Sequence, residues 1–316
     1  MGFFKNLFGK EKPDLPAEAV WDSEKITFYD EKGREVIFSK SQWKNTVLPG
    51  LFKKNWDNPD ELYKNIFMAV ADGFFELAMP ACQRLISIDP DKARSNSSLA
   101  RALHAKGDSS TAVKTLDEFL RQNGPEPLAL TNLGIICWQS GHLNKAAKAF
   151  WDALKLDPNP EDTVDCWAKV NFEMGGEPAK IKALKQLAQL EGAWRGLANL
   201  GFECLKKKDL AGAKKYYSQV MEKFGDDPDV LYVVSGDLGN SGCPEEMLSL
   251  VAPRYKPEDN RPETGLNMLQ AYLDTGNYEQ GQKLMKQLFF TLPNEYKQHL
   301  ITFSSEFAKL KFSGKI

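Results

Sequence analysis

The chain has 316 residues, of which 42% are apolar and 27% charged, and its formal net charge at pH 7 is −2. This length and apolar content allow either two ordinary domains or one elongated array of repeats. Because nucleic-acid binding favours a basic surface, the near-neutral charge argues against DNA or RNA as a partner.

The first predicted element is a short amphipathic helix followed by a linker, together residues 1–19. Phe3, Phe4, Leu7 and Phe8 would share one face of this helix, beside lysines, and two prolines follow. Such a helix could lie in a membrane interface, dock on a partner protein or fold onto the chain's own array. These readings stay open, and the first of them would make the protein membrane-peripheral.

Residues 20–58 are predicted to form a β-hairpin followed by a helix. The stretch "KITFYDEKGREVIF" has two β-rich runs around a turn, and Ser39 after it is suited to cap a helix. We expect that helix to run through Trp43 and to break near Pro49. Because an isolated hairpin is marginally stable in water, we expect it to cap the array.

Residues 59–294 repeat with a period of 34 residues, the spacing that aligns Gly73, Gly107 and Gly141. Each unit has the pattern of two amphipathic helices, separated by a Gly-containing turn and closed by a Pro-containing turn. The predicted units begin near Pro59, Ala93, Pro127, Glu161, Trp194, Pro228 and Pro262.

Residues 295–316 are predicted to form one amphipathic helix. Its apolar stripe consists of Tyr296, Leu300, Phe303, Phe307 and Leu310. A repeat array needs a terminal helix with one apolar and one polar face, so we expect a C-terminal cap. A partner-binding helix would have the same pattern.

The third unit, "PLALTNLGIICWQSGHLNKAAKAFWDALKLDPNP", resembles the tetratricopeptide repeat family through Gly134, Ala146, Phe150 and Pro158, among others. The resemblance implies an all-α, right-handed superhelical solenoid of about seven helix-turn-helix repeats. Three repeats depart from the pattern. In the seventh, Leu269 stands where Gly or Ala is usual. The fourth has Lys180 where a small residue is usual, and the sixth carries helix-weakening glycines.

In the family that the chain resembles, the first helix of each repeat lines a concave groove where partners bind. The corresponding positions here predict a partner-binding groove of twelve residues: Arg94, Arg101, His104, Asn132, Trp138, Lys169, Arg195, Asn199, Phe202, Tyr232, Asn267 and Gln270. Three asparagines share one position in alternate repeats and could bond the backbone of an extended peptide, unless asparagine is simply common there. The arginines and histidine of the second repeat suit an acidic ligand, although a solvated charged face would look alike.

No catalytic set is evident in the sequence. It contains no Gly-rich phosphate loop, and its five cysteines lack paired spacing beside only three histidines. We therefore expect no enzymatic activity, no cofactor, no metal site and reduced thiols in a cytoplasmic protein.

The leading functional hypothesis is a protein-interaction scaffold or adaptor that binds a protein or peptide in the groove. One alternative is a peripheral membrane assembly factor, attached through the N-terminal helix. The other is a peptide-sensing regulator that bends at Gly236 and Gly239. The oligomeric state stays open.

Overall fold

The computed structural model describes residues 25–29 and 34–312, except for the side chains of Tyr29 and residues 310–312. The predicted anchor residues Phe3, Phe4, Leu7 and Phe8 therefore lie outside the described residues. The chain divides into two compact units, residues 1–140 and 141–316. Each unit is considered separately below.

The predicted hairpin is present in the first unit. Strands β1 (Lys25–Tyr29) and β2 (Glu35–Ser39) pair antiparallel. Phe28 and Phe38 lie on the buried face, with their ring centroids 5.6 and 5.7 Å from that of Trp43. The buried Trp43 links these rings to the core of the first helix pair, so the sheet covers one end of that core.

The helix after Ser39 continues past the predicted break. Ser39 caps α1 (Lys40–Gln42) in a reciprocal capping box with Gln42. A π-helical segment (Trp43–Val47) then leads into α2 (Leu48–Lys54), which contains Pro49 and Gly50. The expected break is wrong because the π segment widens the turn just before the proline. The ring of Pro49 then avoids the clash with the preceding carbonyls that a regular α-helix would impose.

Two and a half repeats follow in the first unit. Their helices are α3 (Pro59–Ala71), α4 (Phe75–Ile88), α5 (Lys92–Ala105), α6 (Ser109–Asn123) and α7 (Pro127–Gln139). The first helices of successive repeats, α3, α5 and α7, pack side by side, while α4 and α6 cover them from the other side. Small residues such as Ala78 and Ala112 are fully buried between the helices and allow this close approach.

The second unit continues the same pattern. Its helices are α8 (Leu143–Leu154), α9 (Glu161–Leu187), α10 (Trp194–Lys206), α11 (Leu210–Phe224), α12 (Pro228–Asn240), α13 (Pro244–Val251), α14 (Pro262–Asp274), α15 (Tyr278–Thr291) and, after a 3-10 turn, α16 (Lys297–Phe312). The range α9 is two helices, because Gly176 has φ of 65° at a sharp kink. A side chain is rarely tolerated there, so glycine makes the turn.

The predicted repeat starts agree closely with the structure. Helices begin at six of the seven predicted residues, and the seventh, Ala93, is the second residue of its helix. Gly236 and Gly239 lie inside the continuous helix α12. In α16, Leu300 and Phe307 are buried in the core as the stripe predicts. The all-α fold class of paired helical repeats, with a small N-terminal sheet, is confirmed.

Candidate functional site

The candidate site is the exposed side of the first helices, which we call the first-helix face of each unit. In the first unit α3, α5 and α7 form one row, and in the second unit α10, α12, α14 and α16 form another. Side chains three or four positions apart on such a helix project from one face. The predicted groove residues all lie on first helices, and their contacts differ widely.

Arg94 binds carboxylates of its own unit. Its guanidinium donates to both oxygens of the fully buried Asp89, at 2.8 and 2.9 Å, and to Asp60 of the preceding repeat at 2.8 Å. Burial opposes ionisation of Asp89. The bonds from Arg94 and the backbone N–H of Asp91, together with the charges of Arg94 and Lys92, outweigh it and hold the pKa of that carboxyl below its usual range. The sequence predicts that Arg94 offers its charge to an acidic ligand, but that charge is already paired with Asp89 and Asp60.

Arg101 faces solvent two turns further along α5. Its guanidinium carbon lies 4.7 Å from the centre of the Phe67 ring on the neighbouring helix α3. The two side chains border a small surface indentation, with Tyr63 and Ser98 at its sides. A cation over an aromatic ring keeps its hydrogen-bond donors at the edge of the pair available, so this spot suits an acidic or carbonyl-bearing group.

Two of the three remaining candidates of the first unit, His104 and Asn132, make internal hydrogen bonds. His104 bonds Ser109 and Gln139 through its two ring nitrogens, at 2.8 Å each. Asn132 is only 5% exposed, and its amide donates to the carbonyl of Leu128. The expectation of an exposed peptide-binding amide at Asn132 is therefore not met. Trp138 is half-buried on α7.

Arg195 in the second unit resembles Arg94. It lies 4.5 Å from the Trp194 ring and donates to the carbonyl of Asn159 at 2.7 Å and to Glu161 at 3.4 Å. Glu161 starts the preceding repeat, as Asp60 does for Arg94. Arg261, which precedes α14, pairs in the same way with Asp229 at 2.7 Å. These three arginines tie the start of one first helix to the start of the next.

Asn199 and Phe202 lie on the open face of α10. Phe202 is 36% exposed, with the Lys206 ammonium 5.2 Å from its ring centre. Asn199 is half-buried, and its side-chain amide makes no hydrogen bond to any residue that the structure describes. On the adjacent α12, Tyr232 is half-buried beneath the guanidinium of Arg261, 4.8 Å from its ring centre.

The other predicted residues of the second unit are less distinctive. Asn267 donates to the hydroxyl of Ser235 at 3.1 Å, and Gln270 donates to Asp274 at 2.8 Å. Lys169 is exposed on α9. Thus the three asparagines predicted to act alike are in three different situations.

Asp237, on α12, was not predicted from the sequence, and its side chain faces the second helix α11. It accepts a hydrogen bond from the hydroxyl of the fully buried Tyr217 at 2.9 Å. Burial raises the pKa of Asp237 to about 6, although the bond from Tyr217 and the charge of Arg195 oppose the rise. Asp237 stands next to Leu238 in an ordinary helical pattern, so nothing in the nearby sequence indicates that it pairs with Tyr217.

Lys180 occupies the position where a small residue is usual, and the structure explains the exception. Its ammonium reaches Glu203 of the next repeat at 2.6 Å, and Lys206 binds the same carboxylate. Glu203 is buried on α10, so both lysines compensate its charge. Lys180 thus departs from the repeat pattern and is matched by the buried Glu203 of the neighbouring repeat.

Chemistry-bearing clusters are scarce in the described part of the chain. Within residues 25–29 and 34–312, no group of three or more His, Cys, Asp or Glu side chains could hold a metal ion. Over the same residues, no helix combines the length and the apolar character that crossing a membrane requires. Burial raises the pKa of the Cys82 thiol to about 12, which makes it a poor nucleophile at neutral pH.

Comparison with known proteins identifies the repeat. Residues 128–160 match the tetratricopeptide repeat family. The third repeat of the chain is thus a tetratricopeptide repeat. No curated protein matches its sequence.

Solved structures similar to this chain include a thermophilic TPR protein of Thermus thermophilus. The identity is 17%, the match covers 57% of this chain and 98% of that chain, and the TM-score is 0.35. A tetratricopeptide repeat protein of Parabacteroides merdae shows 11% identity over 79% of this chain and 98% of that chain, with a TM-score of 0.35. The TPR2AB domain of yeast Sti1, in a complex with pHSP90, shows 14% identity over 79% and 98%, with a TM-score of 0.32.

Proposed function

We propose that this protein is a non-enzymatic scaffold that binds a segment of another protein on its first-helix faces. The observation that carries the proposal is the open face of α10, where Asn199 and the exposed Phe202 stand three residues apart. An aromatic ring beside an amide without an internal partner is the combination that protein interfaces use as an anchor.

The charges near these rings indicate the chemistry of the bound segment. Lys206 lies over Phe202 and Arg261 lies over Tyr232. In the first unit, Arg101 lies over Phe67 in the same manner. Each cation presents donors next to an apolar surface, so the segment would place an apolar side chain on the ring and an acidic or carbonyl oxygen beside it.

The proposal is tested by affinity capture from native lysate with a face variant carrying Arg101→Ala, Asn199→Ala and Phe202→Ala. A matched control carries Glu118→Ala, Lys215→Ala and Glu222→Ala, three exposed positions on second helices. We expect the wild type and the control to recover the same partner and the face variant to lose it. Circular dichroism checks that both variants retain the wild-type helix content.

Equal recovery by all three proteins would contradict the proposal, because the first-helix faces would then not be the binding surface. A further variant that lacks residues 2–12 addresses the amphipathic segment predicted at the N-terminus. Loss of the partner only in that variant would favour the membrane or docking role of that segment instead.

A further inference from the structure

A second surface lies outside the first-helix faces, between α15 and α16. The two helices enclose an open apolar groove of about 530 Å³. Its floor and walls are formed by Met285, Phe289, Phe290, Leu300, Ile301 and Ala308. Phe290 is 86% exposed, and Phe289 and Ile301 are about half exposed. A large apolar area open to water at one place indicates a binding surface.

The contacts within the second unit indicate what shape the groove accepts. Helix α16 packs on α14 and α15 in the way that α14 packs on α12 and α13, so α16 takes the place of a further first helix. In the sixth repeat the second helix, α13, packs both on its own first helix α12 and on the preceding second helix α11. The groove between α15 and α16 is therefore the position that one more second helix would occupy.

The charges around the groove favour an acidic occupant. Lys286 lines it, and the Lys297 ammonium lies 5.6 Å from the centre of the Phe289 ring. Lys309 follows Ile301 and Ser305 along the same side of α16, and all three are exposed. These lysines stand where the polar flanks of a bound helix would pass, so acidic residues there would complement them.

We propose that the groove between α15 and α16 binds one amphipathic α-helix of a partner protein, with aliphatic residues at i, i+4 and i+7 and acidic residues on its flanks. The helix completes the array in place of an additional second helix. Its aliphatic residues cover Phe289, Phe290 and Ile301, and its acidic residues pair with Lys286, Lys297 and Lys309. This is a site separate from the first-helix faces and does not depend on the proposal made for them.

Two other occupants fit the charges less well. A second copy of this groove would bring the same lysines into opposition, which is unfavourable. An anionic membrane matches the lysines, but it does not need a concave site with the dimensions of a helix. Both alternatives serve as outcomes of the test.

The test measures binding of labelled synthetic peptides to the full chain by fluorescence anisotropy. The first peptide has 18 residues, with leucines along one helical stripe and glutamates beside it. The second has the same composition with the leucines distributed around the helix, and the third has lysines in place of the glutamates. We expect the first peptide to bind at least about tenfold more tightly than the other two.

Variants of the groove are compared with matched controls elsewhere in the second unit. Phe290→Ala is expected to weaken binding of the glutamate peptide about tenfold or more, because Phe290 supplies a wall of the groove. Phe172→Ala, at an exposed phenylalanine of α9, should leave binding unchanged. The pair Lys286→Glu and Lys297→Glu is expected to reverse the preference towards the lysine peptide, whereas Lys185→Glu should not.

Four results would overturn the proposal. One is equal binding of the striped and redistributed peptides, and another is unchanged binding by Phe290→Ala. The third is binding to phosphatidylserine vesicles that Phe290→Ala abolishes, without binding of any peptide. The fourth is a dimer in analytical ultracentrifugation that Phe290→Ala dissociates. The face variant with Asn199→Ala and Phe202→Ala should bind the glutamate peptide normally, which separates this site from the first-helix faces.

Discussion

Asp89 is fully buried and Asp237 is half-buried, and the two carboxyl groups have opposite electrostatic surroundings. The buried Tyr217 hydroxyl is the hydrogen-bond donor to Asp237, whereas Arg94 gives Asp89 two bonds from a full positive charge. The pKa of Asp237 is accordingly raised and that of Asp89 lowered. The two residues should therefore change the stability of the fold in opposite directions as the pH changes.

We expect Asp237→Asn to stabilise the protein at pH 7.5 and to have little effect near pH 4. The folded-state pKa of Asp237 is raised from 3.8 to about 6. Protonation therefore contributes stability that is fully present below pH 3.8 and lost as the pH rises through about 6. A shift of about two units corresponds to about 2–3 kcal/mol in the free energy of unfolding.

Urea unfolding of wild type and Asp237→Asn between pH 4 and pH 8 measures this effect. The neighbouring groups that titrate or carry charge are Tyr217, Arg195 and Glu161, and the variant keeps all of them. A stability difference that stays constant over the whole pH range would show that the carboxyl is not the cause.

We expect Arg94→Ala to destabilise the fold by about 3–5 kcal/mol at pH 7, because it leaves the buried Asp89 without its cation. Since the pKa of Asp89 is lowered, this contribution is present above the unfolded-state value and fades as the pH falls through the folded one. Arg254→Ala is the control, because its partner Asp226 is 97% exposed and such pairs contribute at most about 1 kcal/mol. Equal losses in guanidinium unfolding would contradict the argument.

At the scale of the helices, the glycines are of two kinds. Some lie so close to a neighbouring helix that a side chain would collide with it, and others have open space around them. A Cβ on Gly201 of α10 would lie 2.9 Å from the ring of the buried Tyr217 on α11. A Cβ on Gly239 of α12 would meet nothing within 4 Å. The first glycine permits two helices to approach, and the second only weakens its own helix.

Alanine substitutions should therefore have opposite signs at these two positions. Gly239→Ala is expected to raise the free energy of unfolding by about 0.5–1 kcal/mol, through the lower chain entropy of the unfolded state. Gly201→Ala is expected to lower it by about 1–3 kcal/mol, since the ring must move. Thermal unfolding followed by circular dichroism measures both, and the same sign for both variants would refute the distinction.

The helices could be predicted from the sequence because their limits are set locally. Pro59, Pro228 and Pro262 each start a helix as predicted, since proline fits the first turn and disrupts later ones. The failure at Pro49 has a local cause as well, the π segment before it. Nothing in the spacing of apolar residues reports a widened turn.

At the scale of the whole molecule, the candidate site was harder to predict than the fold. A position in the repeat indicates which side of a helix a residue occupies, but not whether its polar atoms are already bonded. Asn132 and Asn199 have equivalent positions, yet the first bonds Leu128 and is buried. The groove between α15 and α16 was also missed, because its two walls are apolar residues that look like core in the sequence.

The ion pairs that Arg94, Arg195 and Arg261 form between consecutive first helices have a consequence for how the surface can change during evolution. Arg94, Arg195 and Arg261 each fix the distance between consecutive first helices at the helix starts, through acids that no ligand needs to touch. Apart from Arg261, which also covers the Tyr232 ring, spacing and the proposed recognition thus depend on separate sets of side chains within each unit. Residues such as Phe202 and Asn199 can be exchanged for others without altering the pitch of the helices, so a lineage can acquire new partners while its framework stays constant.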